Sequence, residues 1–279
     1  MSLWSLLLIT GSAALHSGWN VTLKKQSDTS ASAIALAALA CLMALGAGLP
    51  YFTTALSSNT IPYTMGAGIF AGGALATIGL AFRGGSLGLT YTVSRAGSIL
   101  FLWPLSYYLL GEEITLTAAL GAVILTAGLA IIMLRGKKEK TSKHLWWAFL
   151  SCLCIVGYHL CYKKAIMGGA NTFALLGLSD VLRVLVAFLL LDSQRIIRMK
   201  KVFQKDWRPI LTMAVMSFGS FSIFLYALKF EGAAHLGTLR NLSILFTAFG
   251  ASKLGETLSR HSLLLIILSL AGTILIGMK

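Results

Sequence analysis

The chain has 279 residues, of which 57% are hydrophobic and only 11% charged, whereas a soluble domain carries about 25% charged residues. Its 23 Lys and Arg against 9 Asp and Glu give a net charge of +14, but the basic residues sit in short loops beside apolar runs, as topogenic charge does. This composition excludes an ordinary soluble enzyme and a nucleic-acid-binding domain, and predicts an all-α polytopic membrane protein.

Ten apolar runs follow one another, at about 3–22, 32–55, 62–82, 86–109, 115–134, 145–162, 172–192, 209–228, 233–253 and 261–278. Each is long enough to cross a hydrocarbon core of about 30 Å as a helix. The first lacks a basic residue ahead of its apolar stretch and is read as a retained span, not a cleaved signal. It places His16, Trp19 and Asn20 in its last turns. The third is glycine-rich, with Gly66, Gly68, Gly72, Gly73 and Gly79 suited to close helix packing. The fourth carries Arg95 inside an almost uncharged run from Ser86 to Leu110. The sixth ends in Tyr158, His159 and a Lys163-Lys164 pair, and the seventh holds Asp180 and Arg183 at i,i+3. The stretch "SQRIIRMKKVFQKDWR" then reads as a basic loop before span 8, and Arg240 lies within span 9. The four cysteines, Cys41, Cys152, Cys154 and Cys161, all fall in apolar spans and read as small hydrophobes. No disulfide framework, metal site or cofactor is expected.

The second half repeats the first in order. "RAGSILF" at 95–101 returns as "RNLSILF" at 240–246, "GWNVTLKK" at 18–25 as "GYHLCYKK" at 157–164, and "LGEEIT" at 110–115 as "LGETLS" at 254–259. Five spans are thus duplicated, dividing the chain into repeats 1–139 and 140–279. An odd number of crossings per repeat orients the two oppositely, as in many secondary transporters. Most Lys and Arg fall in loops 1-2, 3-4, 5-6, 7-8 and 9-10, which by the positive-inside rule puts those loops in the cytoplasm and both termini outside.

The text "YALKFEGAAHLGTLRNLSILFTAFGASKLGETLS" at 226–259, with its first-half counterpart "AFRGGSLGLTYTVSRAGSILFLWPLSYYLLGEEIT" at 81–115, resembles the signature of the EamA-type carriers of the drug/metabolite transporter superfamily. With the duplicated five-span plan, the resemblance covers nearly the whole chain. It implies a ten-helix carrier of small metabolites with a central cavity and alternating access, residing in a bacterial inner membrane. Two departures stand out. Ile99 and Ser243 occupy places where the family usually has proline, and the charge count points the termini opposite to many relatives.

Arg95 lies about 13 Å into span 4 at 1.5 Å per residue, where an arginine costs at least about 2.5 to 3.5 kcal/mol unless it faces a wet or paired interior. Arg240 is shallower, roughly 10 Å into span 9. Inverted repeats bring both toward one midplane cavity. Tyr91 and Ser98 share the face of Arg95, and Ser243 shares that of Arg240. Asn20, His159, Trp19 and Tyr158 complete the candidate binding set. Asp180, the only acidic residue well inside a span, and His16 are the candidates for ion coupling. Competing readings are snorkelling or structural ion pairing for the arginines, a plain salt bridge for Asp180, and interhelical packing for the histidines. Gly111 and Gly255 suit helix ends, with Glu112 and Glu256 favouring the start of the following span. The lysine pairs read as span-end charges.

Three intramembrane arginines against one aspartate favour an anionic or zwitterionic small-molecule substrate, such as an organic acid, amino acid, phosphonate or phosphorylated compound. No "GxxxxGK[ST]" loop is present, so proton or counter-substrate coupling is expected in place of ATP hydrolysis. The expected partners are that substrate and membrane lipids, with the chain acting as a monomer or homodimer. A flippase for lipid-linked substrates and a membrane-embedded enzyme are the alternatives.

Overall fold

The computed structural model describes residues 3–52, 57–113, 142–190 and 194–253 continuously, with scattered positions within 115–127 and 263–275. Expected spans 5 and 10 lie largely outside the described residues, as do the loop joining the halves and the turn with Gly255 and Glu256. The described helices are α1 (Leu3–Lys24), α2 (Thr29–Gly48), α3 (Ile61–Phe82), α4 (Leu87–Leu110), α5 (Ser142–Met167), α6 (Thr172–Leu189), α7 (Arg195–Ala227), α8 (Ala233–Leu239) and α9 (Ser243–Lys253). No strand occurs among the described residues. Five of these helices, α2, α3, α5, α6 and α7, contain stretches long and apolar enough to cross a membrane.

Helix ends follow local chemistry. Ser86 caps α4 by accepting from the Leu89 N–H, and Asn171 caps α6 by accepting from Phe173 and Ala174. Gly111 closes α4 in the left-handed conformation at φ 70°, which glycine adopts without a Cβ penalty. Asp28 caps α2 through the Ala31 N–H and also takes two hydrogen bonds of 2.6 Å from Arg198. Burial alone would raise the Asp28 carboxyl, but the Arg198 contacts and the Ala31 N–H outweigh it and hold it below the ordinary 3.8.

Three sequence expectations are corrected. The stretch read as a basic loop before span 8 is helical, so α7 starts at Arg195. It kinks at Asp206 (φ −124°, ψ 29°), just ahead of Pro209, whose ring and missing N–H interrupt the ladder. Span 9 is broken: a 3₁₀ turn over Arg240–Leu242 separates α8 from α9 without any proline. Finally, the Glu112 carboxylate accepts from the Ala233 and Ala234 N–H groups at 2.6 and 3.0 Å. It therefore caps α8, a helix of the second half.

Packing runs mostly between halves. α3 lies on α5 and α6, α2 on α6 and α7, α1 on α7 and α9, and α4 on α5 and α9. Glycine permits the closest approach: a Cβ on Gly68 would stand 2.5 Å from the Ser179 carbonyl oxygen, and one on Gly72 2.8 Å from that of Arg183. The outward faces stay apolar, with Leu42, Met65, Ile69, Leu185, Val215 and Phe249 exposed as a lipid-facing belt requires.

One device occurs twice. Lys24 Nζ donates to the Phe82 and Gly85 carbonyls at 2.9 and 2.7 Å, closing the C-terminal end of α3. Lys163 Nζ donates to the Leu228 and Glu231 carbonyls at 2.9 and 2.8 Å, closing the end of α7. Each ammonium satisfies carbonyls that the helix leaves unpaired and meets the negative end of its dipole. Of the lysine pairs read as span-end charges, Lys24 and Lys163 are thus caps on another helix.

Candidate functional site

A cavity of about 50 Å³ lies between α1, α3, α4, α5, α6 and α7. α1 contributes His16, Trp19 and Asn20, α4 Tyr91, Ser94 and Arg95, and α5 Ser151, Ile155 and Tyr158. Ala71, Ala74, Leu75 and Ile78 form an apolar wall from α3, while Arg183 and Phe221 complete the lining from α6 and α7. Successive helical turns place the α3 and α1 residues on single faces, which is why the sequence spacing assembles them.

Arg95 is 2% exposed, and none of its three guanidinium nitrogens has a hydrogen-bond partner among the described residues. Its backbone is firmly held: the Arg95 carbonyl accepts from Ser98 Oγ at 2.7 Å and from Asn241 Nδ2 at 3.1 Å. A buried, unpaired guanidinium is the costliest arrangement of an arginine in a membrane.

The other two arginines have partners, although Arg240 keeps its Nε and Nη1 without hydrogen bonds among the described residues. Arg183 is paired with Asp180 at 2.8 Å, both nearly fully buried, and stands 5.4 Å from the Phe221 ring. Arg240 lies against Phe221 and Phe224, 4.6 and 4.5 Å from their ring centres. Its Nη2 donates to Ser220 Oγ and to His16 Nδ1, both at 2.9 Å. His16 Nδ1 also faces the Trp19 indole N–H at 3.3 Å. With two donors directed at it, Nδ1 acts as acceptor, and the imidazole proton belongs on Nε2.

Of the residues expected to bind, Arg95, Tyr91, Asn20, Trp19 and Tyr158 line one cavity, together with the coupling candidate His16. Arg240 and Ser243 flank it without lining it: Arg240 reaches it through His16, and Ser243 Oγ accepts from the Tyr91 hydroxyl at 2.8 Å. Ser98 is spent on the Arg95 carbonyl. His159 is buried behind the cavity against Tyr158 and Phe224, with ring centres 4.6 and 4.9 Å away. Asp180 adopts the salt-bridge reading.

Sequence reasoning missed the α3 wall, Phe221, and the Ser94–Ser151 hydroxyl pair at 3.0 Å. Ser94 adjoins Arg95 in sequence and was findable; Phe221 and Ser151 carry no local signal.

The lipid-facing belt, the interleaved apolar helices and the buried cationic cavity define a polytopic α-helical membrane protein. Residues 142–278 match the EamA-like transporter family, so the second half of the chain belongs to that family, and recognition of an EamA-type member of the drug/metabolite transporter superfamily is borne out. A solved crystal structure described only as a protein is similar to this chain in fold, with a TM-score of 0.66 over 97% of this chain and 96% of its own, at 14% identity. No curated protein matches the chain significantly.

Proposed function

We propose that the protein is a secondary carrier that moves a small anionic or zwitterionic metabolite across a bacterial inner membrane by alternating access of two inverted five-helix repeats, 1–139 and 140–279. The observation that carries this reading is Arg95: a nearly fully buried guanidinium without a hydrogen-bond partner among the described residues, at the wall of a cavity between helices. An interior that holds an uncompensated cation favours an anion, and guanidinium takes an oxyanion through two parallel hydrogen bonds.

The repeat is supported by the matched lysine caps, by Trp19 and Tyr158 meeting at one cavity from corresponding places, and by first-half helices packing mainly on second-half ones. At about 50 Å³ the cavity is far smaller than the roughly 300 to 1,000 Å³ of typical ligand sites. This small volume supports a resting form that widens when either end opens. The Lys24 and Asp28–Arg198 contacts tie one end, and the Lys163 and Glu112 contacts tie the other. The basic start of α7, from Arg195 to Arg208, supports a cytoplasmic position for that end by the positive-inside rule, and with it both termini outside.

Uptake of labelled organic anions into proteoliposomes tests the proposal. Arg95→Gln should abolish uptake and Arg240→Gln should reduce it, both with unchanged gel-filtration profiles. Full transport by the double variant would reject the site. An impermeant thiol reagent that labels Lys201→Cys from outside intact cells would overturn the orientation.

A further inference from the structure

Resting on the carrier reading, we infer that the cargo carries a single negative charge on one small oxyanion head and an apolar body: a monocarboxylate, in preference to dicarboxylates and phosphorylated metabolites. Three arginines lie in or beside the cavity, but Asp180 neutralises Arg183 at 2.8 Å, and Arg240 stands outside the lining, its Nη2 on His16 and Ser220 and its Nε and Nη1 without partners among the described residues. Only Arg95 presents all its donors unspent, and no acidic residue lines the cavity among the described residues.

One unpaired guanidinium in the cavity wall holds one oxyanion head. A second carboxylate would lie against the apolar wall without a donor to pair it, at the large penalty of an unpaired buried ion. The remaining wall points the same way. Ala71, Ala74, Leu75, Ile78 and Ile155 offer no polar side-chain atom, and Trp19 and Phe221 present ring surface. Such a wall rewards methyl, methylene or aryl groups and leaves the hydroxyls of a sugar phosphate unsatisfied. The polar lining includes Ser94, which donates to Ser151, and Asn20, which gives one amide N–H to the His16 carbonyl at 2.7 Å and retains its second donor for a carboxylate.

Titration calorimetry on the purified full chain, with acetate, 3-methylbutanoate, succinate and glycerol 3-phosphate as probes, tests the inference. 3-Methylbutanoate should bind at least about tenfold more tightly than succinate or glycerol 3-phosphate, and Arg95→Gln should weaken it by at least about tenfold. Ala74→Leu fills the apolar wall and leaves Arg95 in place, so it should weaken 3-methylbutanoate several-fold more than acetate. If succinate or glycerol 3-phosphate binds as tightly as 3-methylbutanoate and depends on Arg95, the monoanion inference fails and the carrier reading stands. Equal losses of acetate and 3-methylbutanoate in Ala74→Leu overturn the apolar-body part. If no probe binds, or binding is the same in Arg95→Gln, the anion site itself is wrong and both readings fall.

Discussion

Replacing Arg95 by methionine removes the guanidinium and keeps a long, flexible side chain. If Arg95 were a structural residue, its loss would strand a partner and destabilise the protein by several kcal/mol. Its nitrogens have no partner to strand among the described residues, and its carbonyl contacts to Ser98 and Asn241 survive the substitution. What disappears is the desolvation cost of a buried, unpaired cation, which in comparable replacements of buried charge amounts to about 1–4 kcal/mol. At about 2 kcal/mol, and about 2–4 °C per kcal/mol for a long chain, Arg95→Met should melt roughly 4–8 °C higher than the wild type. Anion transport should fall by about 100-fold, as expected for losing a charge-assisted double hydrogen bond. Differential scanning fluorimetry in detergent and proteoliposome flux read the two effects on one sample. A variant that melts lower than the wild type would refute the reasoning, because it would mean that Arg95 is held by interactions that stabilise the fold.

Other consequences are simpler. Lys24→Met and Lys163→Met each leave two helix-end carbonyls uncapped and should each cost about 1–3 kcal/mol in thermal melts, with the double variant close to the sum. A much larger effect at one lysine than at the other would argue against equivalent caps. Asp28 has a carboxyl held below 3.8, so its pairing with Arg198 contributes stability that is present above about pH 3.8 and lost as pH falls through the depressed value. Arg198→Gln should flatten that acid loss in melting experiments, and an unchanged acid limb would exclude the pair as its source. Gly68→Ala drives a methyl into the Ser179 carbonyl and the Leu182 side chain and should cost about 1–3 kcal/mol, read as a lowered melting temperature.

The architecture was legible where the physics is local or periodic. An arginine within an uncharged run must be buried somewhere polar, and helical spacing alone brought Trp19, Asn20 and His16 to one surface with it. The repeated "GWNVTLKK" and "GYHLCYKK" texts located Lys24 and Lys163 in equivalent places, but their acceptors on α3 and α7 lie 58 to 68 residues away and depend on how helices dock. Glu112 shows the same limit: its turn was readable, while the helix it caps begins 121 residues later. The Asp180 counter-charge sets Arg183 apart from Arg95, and the ring contacts with Phe221 and Phe224 set Arg240 apart, a distinction absent from their shared residue type. The helical start of α7 was missed because a charged segment reads as a loop until its apolar face, with buried Val202, is packed.

The central claim, that Arg95 faces a chamber which opens alternately to either side of the membrane, is tested most directly by thiol accessibility at Ala74, which lines that chamber. In a background with Cys41, Cys152, Cys154 and Cys161 replaced by alanine, Ala74→Cys should react with a small impermeant reagent from both faces of sealed vesicles and be protected by bound anion. Reaction from one face alone, or from neither, would contradict the account.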